Sequence, residues 1–161
     1  MSLSSAETDT NAKKVFSVIM NSTTYESTGC RFVAVLNKKY EIGRLMNAIG
    51  HLPRSWSEDL DKLAIENYFD LDGGLHANIS DHPSIILKAD NSNKIRTLKQ
   101  SLLDQKIDFT DFTDTIVSGS AQEQRQNTAK TSEADSDYIG LCFFAPNKTS
   151  KELTKKFSIF N

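Results

Sequence analysis

Only two cysteines, three prolines and one tryptophan occur in 161 residues. No window approaches the roughly 18 consecutive apolar residues of a membrane-spanning helix. So little cysteine argues against a disulfide framework and against a cysteine-rich zinc site. Cys30 and Cys142 each lie beside an apolar segment and read as buried structural thiols. The polar, acid-containing stretch before Val15 is no secretory signal, which needs a basic start and an apolar run of about 7–15 residues. A cytoplasmic protein is expected. Charge of one sign is also lacking: 19 basic and 21 acidic residues give a net charge of −2 and a pI near 5.9. A generally basic, nucleic-acid-coating domain, with a pI above about 9, is thereby excluded, though a local basic patch is not. There is no glycine-rich phosphate loop, no Gly-x-Ser-x-Gly elbow and no internal repeat.

What is present fits one ordinary globular domain, with 38% hydrophobic and 25% charged residues. Residues 1–12 read as a disordered leader and 13–161 as the domain. The run Val15–Met20 is apolar enough for a short strand or helical turn. Phe32–Leu36 is a β-prone run apolar on both faces, typical of a strand covered on each side. Glu41–His51 has a helical period that Pro53 ends. Ser57–Leu63 looks like a short helix with a serine cap and acids in its first turn. Two short runs, Ile65–Phe69 and Leu75–Ile79, flank an Asp-Gly-Gly turn and predict a β-hairpin. Ile85–Leu87 is a strand. In Asn93–Asp104, Ile95, Leu98 and Leu102 form one helical stripe. Ile107–Phe112 alternates like a half-buried strand. Residues 118–137 carry almost no large apolar group and predict a loop or a solvated helix. Tyr138–Ala145 is the last strand, and Thr149–Glu152 matches a capping box opening the last helix. The alternation predicts an α/β fold: a three-layer sandwich with a mixed, mostly parallel central sheet of about four strands, flanked by helices, plus the small β-hairpin.

The helix at 41–51 carries the functional interest. On a wheel, Ile42, Leu45, Met46 and Ile49 cluster toward the core, while Arg44, Asn47 and His51 line the opposite side. Lys38, Lys39 and Arg44 surround its amino terminus, where backbone N–H groups and the dipole favour an anion. Arg44 suits bidentate contact with phosphate or carboxylate, and His51 suits acid–base chemistry near neutral pH. A polar helix face is also what any solvated surface shows.

Other patterns point nowhere special. Asp70–Gly74 lacks the third acid and the distant glutamate of a calcium loop, so it reads as a turn. His76, Asp81 and His82 have no further partner at zinc-ligand spacing. No metal and no cofactor is expected. Lys148, Lys151, Lys155 and Lys156 make the last helix basic, while acids dominate between Arg54 and Asp81. That asymmetry could orient RNA or an acidic partner, or simply be solvated charge.

The stretch Lys39–His51, with its Gly43-Arg44 pair, small residues and closing histidine, resembles the first helix of class II peptidyl-tRNA hydrolases. His82–Asp90, Ile107–Asp114 and Tyr138–Leu141 are similar to that family's later strands, so the likeness spans about residues 31–160. Asn47-Ala48, Lys88-Ala89-Asp90, Ser118-Gly119 followed by Gln122–Arg125, and Asp137–Leu141 more closely resemble domain-of-unknown-function family 2000, a bacterial family related to that fold. The hydrolase resemblance implies catalytic roles for His51 and Asp114 and ligand-binding roles for Lys39 and Arg44; Asn47 joins them from the helix face. Two departures argue against peptidyl-tRNA hydrolysis itself. Arg44 stands where the hydrolases have lysine, and residues 118–137 replace their Thr-Gln-containing loop. The expectation is a hydrolase-like domain that binds a small or anionic ligand, RNA being the weaker candidate, with no membrane partner and a homodimer compatible. The alternative is a non-enzymatic binding or regulatory module using the same cleft or the basic last helix.

Overall fold

The computed structural model describes residues 29–52 and 64–161. The expected leader, the run Val15–Met20 and the helix expected at Ser57–Leu63 lie outside the described residues. Strand β1 (Cys30–Asn37) leads into helix α1 (Ile42–His51). Strands β2 (Ile65–Phe69) and β3 (Leu75–Ser80) form a separate two-stranded antiparallel hairpin. Strand β4 (Ser84–Ala89), helix α2 (Ser92–Asp104), strand β5 (Phe109–Thr113), a 3-10 turn (Asp114–Ile116) and helix α3 (Ala121–Lys130) follow. Strand β6 (Tyr138–Pro146), helix α4 (Asn147–Thr154) and the two-residue strand β7 (Ser158–Ile159) complete the described chain. Among the described residues no helix is long and apolar enough to cross a membrane.

The main sheet has five strands in the order β5-β6-β1-β4-β7. Only β1 and β4 pair in parallel; β6 with β1, β5 with β6, and β7 with β4 are antiparallel. The sheet is mixed, as expected, but neither mostly parallel nor four-stranded. Continuous apolar runs report that both faces of a strand are covered; they do not report its direction. The short β7 has too few residues to show a period.

Helices cover both faces. On one, α2 contributes Ile95, Leu98 and Leu102 to a core with Val33, Val35, Leu87, Leu141 and Phe143, which Leu153 of α4 and the following Phe157 join. On the other, α1 contributes Leu45 and Ala48, with Leu52 just beyond it, to a core with Leu36, Phe112, Ile139 and Cys142. Each large apolar side chain buried this way stabilises the fold by about 1.5–3 kcal/mol. Gly140 of β6 lies under this second core, where a Cβ would meet Leu36 Cδ2 at 2.8 Å.

The rotation of α1 differs from the wheel reading. Ile42 and Met46 are 63% and 65% exposed, and the buried stripe is Leu45, Ala48 and Leu52 with half-buried Ile49. The spacing of three and four is kept but turned toward Ala48, whose small side chain lets α1 lie close to the sheet. Arg44, Asn47 and His51 are exposed.

Local chemistry accounts for most boundaries. Asn91 caps α2, its side chain accepting from Lys94 N at 3.1 Å. Lys106 adopts φ +55° beyond α2, and Ile107 N donates back to Leu102 O at 2.9 Å, a left-handed helix stop. That stop delays β5 to Phe109, two residues later than its alternation predicts. In the hairpin turn Gly73 takes φ +81°, and Asp70 Oδ1 accepts from Gly74 N at 2.7 Å. Residues 118–137 contain the solvated helix α3, opened by a reciprocal capping box of Ser120 and Glu123. The box expected at Thr149–Glu152 is not one: Pro146 already opens α4, with no side-chain cap, so those residues lie inside the helix. Cys142 is buried, its thiol pushed up to about 12 by burial, whereas Cys30 at the strand start is only half-buried.

Candidate functional site

Helices α1 and α2 both begin at the carboxyl ends of the parallel pair β1 and β4, one on each face of the sheet. Asn37, 1% exposed, builds the turn into α1. Its amide donates to Tyr138 O at 2.9 Å, its Oδ1 accepts from Lys39 N at 3.2 Å, and its backbone carbonyl accepts from Tyr40 N at 3.1 Å. A buried amide with both ends engaged fixes the positions of Lys38, Lys39 and Tyr40.

Tyr40 is the centre of this corner. Its hydroxyl donates to Asp137 Oδ2 at 2.5 Å. Burial, that hydrogen bond and the nearby charges of Asp137 and Asp114 push the phenol well above its usual range, with Arg44 opposing. The Arg44 guanidinium lies 6.0 Å from the Tyr40 ring centroid, within cation–π range. The Ser92 hydroxyl, at the start of α2, donates to the other oxygen of Asp137 and accepts from Tyr138 N at 2.8 Å. Asp114 and Asp137 are tied reciprocally: Asp114 N donates to Asp137 O at 3.0 Å, and Asp137 N donates to Asp114 Oδ1 at 3.1 Å.

Two of the sequence-selected residues, Arg44 and Asp114, therefore meet around Tyr40. Lys39 is exposed in the turn beside them, and Asn47 is exposed on the outer side of α1. His51 lies at the other end of α1, its ring stacked on Phe112 at 5.5 Å and 18°. Phe112 precedes Asp114 by two residues, but no hydrogen bond or ion pair joins His51 to Asp114 among the described residues. Tyr40, Ser92 and Asp137 are the members that sequence reasoning passes over as site residues. The sequence carries one signal for two of them, since Tyr40 and Asp137 both fall in the stretches that carry the family resemblance.

The charges are unevenly committed. Lys38 pairs with Asp90 at 2.7 Å, and Lys94 pairs with the same carboxylate. Hydrogen bonds from Lys38 and Lys94 hold Asp90 down to about 2. Lys39 and Arg44 are in no ion pair among the described residues. The Asp137 carboxylate is held by two hydroxyl donors, those of Tyr40 and Ser92. A ligand oxyanion at the start of α1 would therefore meet two uncommitted cations and the helix's first N–H groups. Among the described residues no group of three His, Cys, Asp or Glu side chains is placed to hold a metal.

These features define a mixed-sheet α/β domain with helices on both faces and a polar corner at the end of its parallel strand pair. The chain belongs to the family described as "Protein of unknown function (DUF2000)", whose model matches residues 30–161. Its fold is similar to the solved structure of a protein of unknown function from Agrobacterium tumefaciens strain C58, with a TM-score of 0.71 at 18% identity. That likeness covers 83% of this chain and 98% of the other. None of the curated proteins matches this chain.

Proposed function

We propose that this domain binds an anionic ligand at the amino terminus of α1, on a fold related to that of class II peptidyl-tRNA hydrolases, in the cytoplasm. Lys39 and Arg44 hold the oxyanion, Tyr40 orients Arg44 through its ring, and Asn47 borders the ligand on the outer side of the helix. The observation that carries this reading is the uneven pairing of the corner: Asp90 takes up Lys38 and Lys94, while Lys39 and Arg44 are left without a carboxylate partner among the described residues. The test is calorimetric titration with inorganic phosphate and with a short RNA oligonucleotide. Arg44→Ala should weaken the tighter of the two by about tenfold or more, because a charge-assisted hydrogen bond contributes about 1.5–3 kcal/mol. Equal affinity of wild type and Arg44→Ala would reject the site.

A second reading, hydrolysis, is favoured by His51, an exposed imidazole aligned with Arg44 on α1 and stacked two residues from Asp114. If the domain cleaves peptidyl-tRNA, purified protein releases free tRNA, and His51→Ala slows release by about 10²–10⁴-fold. No release by the wild type rejects peptidyl-tRNA hydrolysis and favours a non-enzymatic binding module.

A further inference from the structure

We infer a second oxyanion site, on the face of the sheet opposite α1 and at the other end of β1 from Tyr40, which takes an organic anion with an apolar body. A cavity of about 330 Å³ lies between α4, β7 and the amino-terminal parts of β1 and β4. That volume is in the range of small-molecule pockets, about 300–1,000 Å³. Its charged lining among the described residues is Arg31, Lys151 and Lys155, with no carboxylate.

Arg31 is built for the task. It projects from β1, and its Nε donates to Asn147 Oδ1 at 2.6 Å, which fixes the plane of the guanidinium. The two terminal amino groups make no hydrogen bond among the described residues, so the fork is oriented and open for bidentate contact with a carboxylate or phosphate. Lys151 lies in the last turn of α4, and Lys155 caps that helix four residues on. Neither has an ion pair among the described residues, whereas Lys38, Lys94 and Lys99 are each paired with an acid. The floor of the cavity is apolar: Val33 and Leu87 are nearly buried, and half-buried Phe157 closes one side. A bare inorganic ion would leave that floor facing water, so the chemistry fits an oxyanion carried on an apolar group.

Amide chemical shifts during titration with phenyl phosphate, benzoate, inorganic phosphate and phenol test the site. Phenyl phosphate or benzoate should shift the amides of Arg31, Leu87 and residues 151–157, at least tenfold more tightly than phosphate or phenol. Whichever of the two binds more tightly identifies the oxyanion as phosphate or carboxylate. Arg31→Gln should weaken that binding about tenfold, and Arg44→Gln should leave it unchanged. Lys155 is exposed, so Lys155→Glu keeps the fold and should weaken binding at least as much. Shifts confined to α1 with none at Arg31, Leu87 or residues 151–157, no shifts with any of the four probes, or unchanged affinity in Lys155→Glu would overturn the proposal.

Discussion

The Tyr40 hydroxyl and the Asp137 carboxylate, 97 residues apart in the chain, are joined by a 2.5 Å hydrogen bond that fastens the entrance of α1 to the start of β6. The bond does two things. It gives the Asp137 carboxylate a donor, and it holds the tyrosine ring where Arg44 can rest on it.

Tyr40→Phe removes that donor while keeping the ring. The group is partly exposed, so the loss of stability should be about 1 kcal/mol, at the low end for a hydrogen bond to a charged partner. The pH dependence is the sharper readout. A phenol whose ionisation is pushed up on folding contributes stability that is complete below its ordinary value of 10.0 and declines as pH rises above it. Wild type should therefore lose more stability than Tyr40→Phe above about pH 10, and absorbance titration should show one fewer late-ionising tyrosine in the variant. Identical alkaline profiles would mean that Tyr40 is not coupled to Asp137 in solution.

Such pairings mark the boundary of what the sequence discloses. Element types were legible because their causes are local: the Asp-Gly-Gly turn, the stripe of Ile95, Leu98 and Leu102, and the apolar run through Phe32–Leu36. Strand direction was not, because Val33 and Val35 are covered whether their neighbour runs parallel or antiparallel. The exposed positions of Ile42 and Met46 were hidden for a similar reason. A wheel ranks side chains by polarity, but Ala48 decides how close α1 comes to the sheet. Arg44 and Lys39 stand out in sequence by charge and spacing, whereas Asp137 becomes part of the corner only through a loop held in place from α2.

That loop hangs on Arg96. Its guanidinium donates to Ser136 O at 2.9 Å and Glu133 O at 3.1 Å, and lies 5.5 Å from the Tyr138 ring centroid. One terminal amino group thus satisfies carbonyls that no helix or strand takes up, while the other donates to Asn93 Oδ1. Arg96→Ala should cost about 0.5–1.5 kcal/mol, the net contribution of hydrogen bonds to exposed and half-buried carbonyls. Hydrogen exchange should quicken at Asp137 and Tyr138. Arg96→Lys should recover little, because lysine has no second amino group for Asn93 and no planar cation to lay on the Tyr138 ring. Full rescue by lysine would show that charge, not the planar fork, holds the loop.

Two glycines should respond with opposite sign. A Cβ at Gly140 would meet Leu36 Cδ2 at 2.8 Å and Leu52 Cδ1 at 3.3 Å. Gly140→Ala should destabilise by about 1–3 kcal/mol, as overpacking of a core does, because α1 must lift from the sheet. A Cβ at Gly43, in the first turn of α1, meets nothing within 4 Å. Gly43→Ala should stabilise by about 0.5–1 kcal/mol through helix propensity. Urea denaturation of the two variants reads both signs; a stable Gly140→Ala protein would place α1 farther from β6 than described.

Asp90 supplies the acid-side test. It sits between Lys38 and Lys94, whose hydrogen bonds lower its ionisation from 3.8 to about 2. A carboxylate depressed on folding contributes stability that is complete above its unfolded value and disappears as pH falls through the folded one. The contribution of Asp90 should therefore fade between about pH 4 and pH 2, and more weakly at high salt, because the pair is solvent-exposed. Asp90→Asn should have a flatter melting-temperature profile than wild type across that window. It should also free Lys38 at the start of α1, so phosphate should bind the variant more tightly than wild type at neutral pH. Weaker binding would show that the Lys38–Asp90–Lys94 bridge shapes the anion site, and that withholding Lys38 from the ligand is not its role.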